Sequence, residues 1–445
     1  MKKRVLPAAL ALTVLFGCTT GNNESSATEE KPRTETTAAV IEQDTTPQEE
    51  TAEYVHPEVP KHLSQDKEVL EKAGDGYYLL TDSRYPVYTN TQVSYYPTGE
   101  DFYEALLEEL KKAEKFIFME YFIVSDGEML NGLIEVLKER MDAGVEIRLI
   151  CDGFKQNDAF AEKLNEFGIK CRLYREPERI SLNRRDHRKL TVIDGRTAFM
   201  GGANIGDEYI NVDSPYGRWK DAAISMQGDA VRSCIELFFE QWENGSELDS
   251  CEEYLDLAQP VDAEGYVLPY GESPFDELNA AREIYLGLIN EAQDHLYITA
   301  PYLNIDDEVE DALCAAAERG VQVIMIVPGI PDKHYMELIA RPHYKTLAKA
   351  GVKIYRFDPG FIHSKVFVCD GRAATVGSVN LNNRSFYCDY ECGALLTDTP
   401  CIADIEADIL TTLEECTLLT ADMISDLTPA EQTQASFFLN IGDMI

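Results

Sequence analysis

The chain has 445 residues and a formal net charge of −39, with 79 acidic against 40 basic side chains. That length can bury a large core in more than one domain-sized unit. So acidic a surface is a poor match for nucleic acid, whose phosphate backbone demands cations, although a local basic pocket can still hold one phosphate group.

Lys2, Lys3 and Arg4 precede an apolar run from Val5 to Phe16, which ends in Leu15-Phe16-Gly17-Cys18. The run is too short to span a bilayer and reads as an export signal over residues 1–18. Its ending resembles a bacterial lipobox, in which Cys18 becomes lipidated and N-terminal. The expectation is an extracytoplasmic, lipid-anchored protein; a plain secretory signal cut nearby is the alternative. Residues 19–60 are rich in Thr, Glu, Ser and Pro and poor in large apolar side chains, the composition of a tether that does not fold. Ordered structure is expected to begin between about residues 65 and 95.

Two similar halves follow. In the first, Asp101–Lys115 has helical spacing, Phe116–Val124 builds a strand, Leu130–Ala143 a helix, Val145–Cys151 a buried strand, and Cys171–Tyr174 a further strand. In the second, Glu277–Ala292 is helical, His295–Ala300 a strand, Val309–Arg319 a helix and Val321–Val327 a strand. Thr346–Gly351 closes another helix before the strand Lys353–Phe357. VEIRLICDG and VQVIMIVPG hold the same place in their halves, as do GIKCRLYRE and GVKIYRFDP. Alternation of strand and helix predicts an α/β fold of two like lobes, each a mixed sheet flanked by helices, packed about a pseudo-twofold axis. The lobes are expected over residues 95–245 and 266–420, with 245–265 as connector.

A phrase written twice carries the chemistry. His187, Lys189 and Asp194 lie in DHRKLTVIDG; His363, Lys365 and Asp370 repeat the pattern in IHSKVFVCDG. Gly201 and Asn204 follow the first copy at the spacing at which Gly377 and Asn380 follow the second. On a strand, positions two apart share a face, so each imidazole lies beside an ammonium. Such a pair suits a phosphodiester. The lysine neutralises the non-bridging oxygens, one imidazole attacks phosphorus, and the other protonates the leaving alkoxide. Two in-line steps then need neither metal nor cofactor. No Cys-x-x-Cys pair or Cys/His cluster with zinc spacing occurs, so no structural metal is expected.

Asp194 and Asp370 belong to the candidate catalytic set as members of the repeat, yet each precedes glycine, and Asp-Gly between apolar runs also signals a hairpin turn. Asp221 and Glu391 precede strand-like runs at similar positions in their halves and are candidates for orienting the histidines. Asn204, Asn380 and Ser378 offer uncharged hydrogen bonds to phosphate or backbone, and Gly201, Gly202 and Gly377 permit close backbone approach. Arg184, Arg185 and Arg188 form a candidate cationic rim. Among the cysteines, Cys388 with Cys392, or Cys401 with Cys416, are near enough in sequence to suggest disulfides, while Cys151, Cys234 and Cys369 read as core residues.

HRKLTVIDG…GGANIGDEY and HSKVFVCDG…GSVNLNNRS resemble the phospholipase D superfamily, and more narrowly the bacterial cardiolipin synthases, over roughly residues 95–420. The resemblance implies transphosphatidylation. One phosphatidylglycerol gives its phosphatidyl group to a histidine and releases glycerol; a second accepts it to form cardiolipin. By analogy His187 is the nucleophile and His363 the general acid/base, a choice the symmetric sequence does not make. Family members carry two N-terminal membrane-spanning helices, whereas this chain shows an export segment and a tether. Hydrolysis of phospholipids or other phosphodiesters, and lipid binding without turnover, are the competing readings.

Overall fold

The computed structural model describes residues 85–176, 184–242, 251–275, 278–420 and 422–441. The expected export segment with Cys18 and the expected tether lie outside the described residues. Among the described residues no helix is long and apolar enough to cross a membrane.

The apolar runs FIFMEY and EIRLICD become neighbouring strands β2 (Phe116–Tyr121) and β3 (Glu146–Asp152) because both sheet faces are covered. The first sheet also holds β1 (Thr91–Tyr96), β4 (Lys170–Tyr174), β5 (Lys189–Ile193), β6 (Thr197–Gly201) and β8 (Ala223–Gly228); β7 (Arg218–Lys220) stands apart from it. Its order is β1-β8-β6-β5-β2-β3-β4, with β2, β3 and β4 parallel and the rest antiparallel. Helices Glu128–Asp142 and Asp158–Glu166 make the parallel crossovers.

The second lobe repeats this plan. Its sheet contains β9 (Tyr266–Glu272), β10 (His295–Thr299), β12 (Gln322–Pro328), β13 (Lys353–Phe357), β15 (Val366–Cys369), β16 (Ala373–Gly377), β18 (Glu391–Thr397) and β19 (Cys416–Leu418), ordered β19-β13-β12-β10-β15-β16-β18-β9. Short strands β11 (Leu303–Asn304) and β17 (Leu381–Asn382) pair with each other, and β14 (Gly360–Ile362) pairs with β7. Apart from the added edge strand β19, the two sheets superpose in order and direction. The expected α/β architecture of two like lobes is thus observed.

Strands β5, β6 and β8 approach β16 and β18 across the middle of the molecule. Leu190, Met200 and Ile224 share one buried core with Tyr270, Val376 and Ala394. The first lobe keeps a second core, with Leu106, Leu133, Ile147 and Phe199, on its outer face. Close approach explains the repeated glycines. A Cβ at Gly201 would lie 2.5 Å from the Ala222 carbonyl oxygen, and one at Gly377 would lie 2.4 Å from that of Cys392.

Neither suggested disulfide is formed. Cys392, Cys401 and Cys416 are free thiols. The Cys416 Sγ donates to the Thr412 carbonyl at 3.2 Å, Cys401 lies 3.4 Å from the Thr399 hydroxyl, and Cys392 is buried over Ser378. Nearness in sequence said nothing of where a strand or helix aims the sulfurs.

Candidate active site

His187 and His363 each sit just before the central strand of their own lobe, β5 or β15, but each is gripped by the other lobe. Asp186 forms a parallel bridge with Tyr390, and Ile362 pairs in the same manner with Lys220. The His187 N–H donates to the Tyr390 carbonyl at 2.9 Å, and the His363 N–H to the Lys220 carbonyl at 2.6 Å. The next residue on each supporting strand is an acid. Glu391 therefore meets His187, with Nδ1 2.8 and 2.9 Å from its two oxygens, and Asp221 meets His363 Nδ1 at 2.6 Å. The carboxylates are exchanged between lobes: the first lobe's acid holds the second lobe's histidine, and the reverse.

The lysines are also symmetric. Lys189 Nζ donates to the His187 carbonyl at 2.5 Å, and Lys365 Nζ to that of His363 at 2.5 Å. Lys365 Nζ lies 3.0 Å from His363 Nε2 as well. An ammonium can donate there only to an unprotonated nitrogen, so the proton of His363 rides on Nδ1, facing Asp221.

Burial controls the charges. His187 is held well below the usual imidazole range by desolvation and then by Lys189, Lys365 and His363. His363 is lowered to about 4 by burial and Lys365, with Asp221 opposing. Burial also lowers Lys189 to about 8 and Lys365 to about 7. The acids diverge. Burial lifts Glu391 to about 8, beyond what Lys189 and the serines can offset. Burial also raises Asp221, but His363 and Lys365 outweigh it and bring the carboxyl below its ordinary value. The result is a buried site with neutral imidazoles and easily discharged lysines. An anion bound there would raise the basic groups again.

Around each histidine the supports differ. Glu391 accepts from the Ser378 hydroxyl at 2.5 Å and the Ser385 hydroxyl at 2.6 Å. Asp221 accepts from the Ala222 N–H at 2.9 Å, and its oxygen occupies space that any side chain at Gly202 would fill, 2.1 Å from an added Cβ. Phe122 lies edge-on to His187 at 5.0 Å, whereas Trp219, Phe361 and Tyr209 surround His363 at 5.0, 5.8 and 5.7 Å. These aromatic walls and Ser385 were not singled out from the sequence. Trp219 lies two residues before Asp221 in the chain, but nothing in that spacing tells which lobe it serves.

The other expected residues separate. Asn204 is occupied by the scaffold, accepting from the Ile123 N–H at 3.0 Å and donating to the Tyr209 hydroxyl at 2.7 Å. Asn380 donates to the Ser385 hydroxyl at 3.3 Å, beside Glu391.

Asp194 and Asp370 leave the catalytic set. They sit at φ 55° and 52°, with Gly195 and Gly371 also at positive φ, in tight turns at the far ends of β5 and β15. At about 3.3 Å per residue that is roughly 20 Å from the histidines. Asp194 accepts three backbone N–H groups, of Glu114, Lys115 and Phe116, and Asp370 those of Gln293, Asp294 and His295. Each carboxylate pins the start of the neighbouring strand.

Arg188 is not at a rim. Fully buried, it donates to the carbonyls of Glu391 and Leu237 at 3.1 and 2.9 Å and pairs with Glu240 at 2.7 Å. It is a strut between the lobes. Arg184 and Arg185 stack on Phe275 and Phe154.

Two like α/β lobes that meet at paired His-x-Lys strands define an enzyme of the phospholipase D type. The comparisons are narrower. The family model described as "Cardiolipin synthase, PLD-like domain" matches residues 106–214 and 285–412. An uncharacterized protein of Streptococcus mutans serotype c is 39% identical over 373 residues, covering 80% of this chain and 81% of that one. Cardiolipin synthase 2 of Bacillus anthracis is 34% identical over 73% of this chain, which spans 65% of that relative's length. In fold, the chain is similar to the phosphatidylserine synthase of Haemophilus influenzae, with a TM-score of 0.63 at 15% identity over 81% of this chain and 95% of that one. The chain belongs to the phospholipase D-like cardiolipin synthase family.

Proposed function

We propose that this enzyme joins two phosphatidylglycerols into cardiolipin and glycerol through a phosphohistidine. The reciprocal imidazole–carboxylate pairs carry the reading, because they fix two imidazoles, one from each lobe, near enough that the charges of Lys365 and His363 bear on His187. His187 Nε2 attacks phosphorus and the bond to the glycerol oxygen breaks. His363, protonated in the bound complex, gives its proton to that oxygen. The hydroxyl of a second phosphatidylglycerol then yields its proton to His363 and attacks phosphorus, and the P–N bond breaks. Lys189 and Lys365 balance charge on the non-bridging oxygens. His363 Nε2 is already engaged by Lys365, which favours His187 as nucleophile. The export segment supports an enzyme held outside the cytoplasm through Cys18, testable by labelling with a fatty acid that a Cys18→Ser variant would fail to take up.

Mass spectrometry of products from purified phosphatidylglycerol tests the reaction. Cardiolipin with stoichiometric glycerol is expected. Phosphatidic acid alone would replace transfer by hydrolysis, and unaltered lipid would leave only binding.

A further inference from the structure

The overall charge of −39 should repel an anionic bilayer, yet lysines stand beside the aromatic rings that lead to the two histidines. Phe154, 65% exposed, projects from the loop after β3. The Arg185 guanidinium stacks on its ring at 4.2 Å, and Lys155 lies 5.5 Å from it. Lys155 also lies 5.4 Å from Phe122, the ring against His187, so this cluster borders the catalytic imidazole. Lys333 lies 4.6 Å from the Tyr302 ring, which lies 6.1 Å from Phe361, a ring against His363, so a second cation borders the other imidazole.

In the second lobe the charges are layered. The Lys333 side chain is 45% exposed and its partner Asp332 only 13%. Arg384 likewise covers the more deeply buried Asp389. In both pairs the cation is the more exposed partner. Tyr335, two residues beyond Lys333, stacks on Phe438 at 4.5 Å, and the adjoining Phe437 of helix Pro429–Ile441 is 59% exposed. Single exposed aromatics are ordinary; two that stand beside cations bordering both histidine sites are not.

We infer that this rim is an interfacial docking surface: Phe154 and Phe437 enter an anionic bilayer while Lys155, Arg185, Lys333 and Arg384 pair with lipid phosphates. The inference rests on the phospholipid reading of the site and adds how the cleft meets its substrate. Charge complementarity confined to the rim selects an anionic membrane, and the acidic remainder of the surface holds the body off it.

The test uses the full chain with Phe154→Trp or Phe437→Trp and phosphatidylglycerol vesicles brominated in the acyl chains. The native Trp219 and Trp242 are buried, so new quenching reports the introduced indole. Quenching at both positions is expected, independent of any N-terminal anchor. Lys155→Gln and Lys333→Gln should each weaken binding to phosphatidylglycerol vesicles about fivefold and leave phosphatidylcholine vesicles unaffected. Absence of quenching at position 154, or quenching at 437 alone, overturns the docking surface. Cardiolipin formed without quenching removes the docking and keeps the reaction; quenching without any phospholipid product does the reverse.

Discussion

The two half-sites share a backbone plan but differ in how each imidazole is supported. His187 faces Glu391, a longer acid bridged by Ser378 and Ser385 and lifted by burial to about 8. His363 faces Asp221, a shorter acid depressed by His363 and Lys365, in an aromatic enclosure of Trp219 and Phe361. At Ser378 in the second lobe the first lobe has Gly202, and the space so opened admits Asp221. The lesson is that duplication preserved the frame while the acids and their supports were free to specialise. A ring beside an ionised acid, as at His363, can carry a proton back and forth.

The largest expected effect breaks the symmetry outright. His187→Ala should abolish turnover of every phosphodiester, a loss of at least about 10³-fold. His363→Ala should do the same with phosphatidylglycerol yet retain a burst of p-nitrophenol from a nitrophenyl phosphodiester, whose leaving group needs no proton. Stopped-flow absorbance decides, and a burst surviving in the His187 variant would exchange the two roles.

The acids sharpen the comparison. Asp221→Asn should lower kcat about 10²–10³-fold, because an amide cannot stabilise the imidazolium of His363. Glu391→Gln should cost about tenfold, since Glu391 already holds its proton at neutral pH in the empty site. Equal losses would mean that the two pairs work alike.

The lysines set the pH response. Lys365 loses its charge as pH rises through about 7 and Lys189 through about 8, so kcat/KM should fall over that interval. A bound phosphodiester favours both ammoniums, so the fall in kcat should come at higher pH. Profiles measured from pH 5 to 10 would show the offset.

The smallest catalytic effect belongs to the turns. Asp194→Ala or Asp370→Ala removes the acceptor of three backbone N–H groups and should destabilise the fold by about 2 kcal/mol, with kcat within twofold in the folded protein. Urea denaturation beside steady-state kinetics separates the two; a large drop in kcat would return these residues to the chemistry.

Much of this was legible in the chain. Apolar runs gave β2, β3 and β12 to within three residues, since a strand buried on both faces is mostly apolar, and β13 came out at the expected Lys353–Phe357. The His-x-Lys echo located both central strands. Crossing of Asp221 and Glu391 was not legible, because it depends on how lobes dock, and spacing within one half carries no record of the other. Arg188 looked like surface charge because its partners are mostly backbone carbonyls, which no sequence pattern advertises. Asp194 and Asp370 pulled two ways, being repeated with the catalytic pairs and followed by glycine; only their distance from the histidines separates scaffold from reaction.

The exchanged acids have an evolutionary corollary. A single ancestral module, assembled as a twofold homodimer, would already have lent its acid to its twin and borrowed one in return, so gene fusion would have had nothing to invent. It follows that neither half, expressed alone, owns a complete proton-handling unit. Severed halves should regain turnover only on reassociating as a pair.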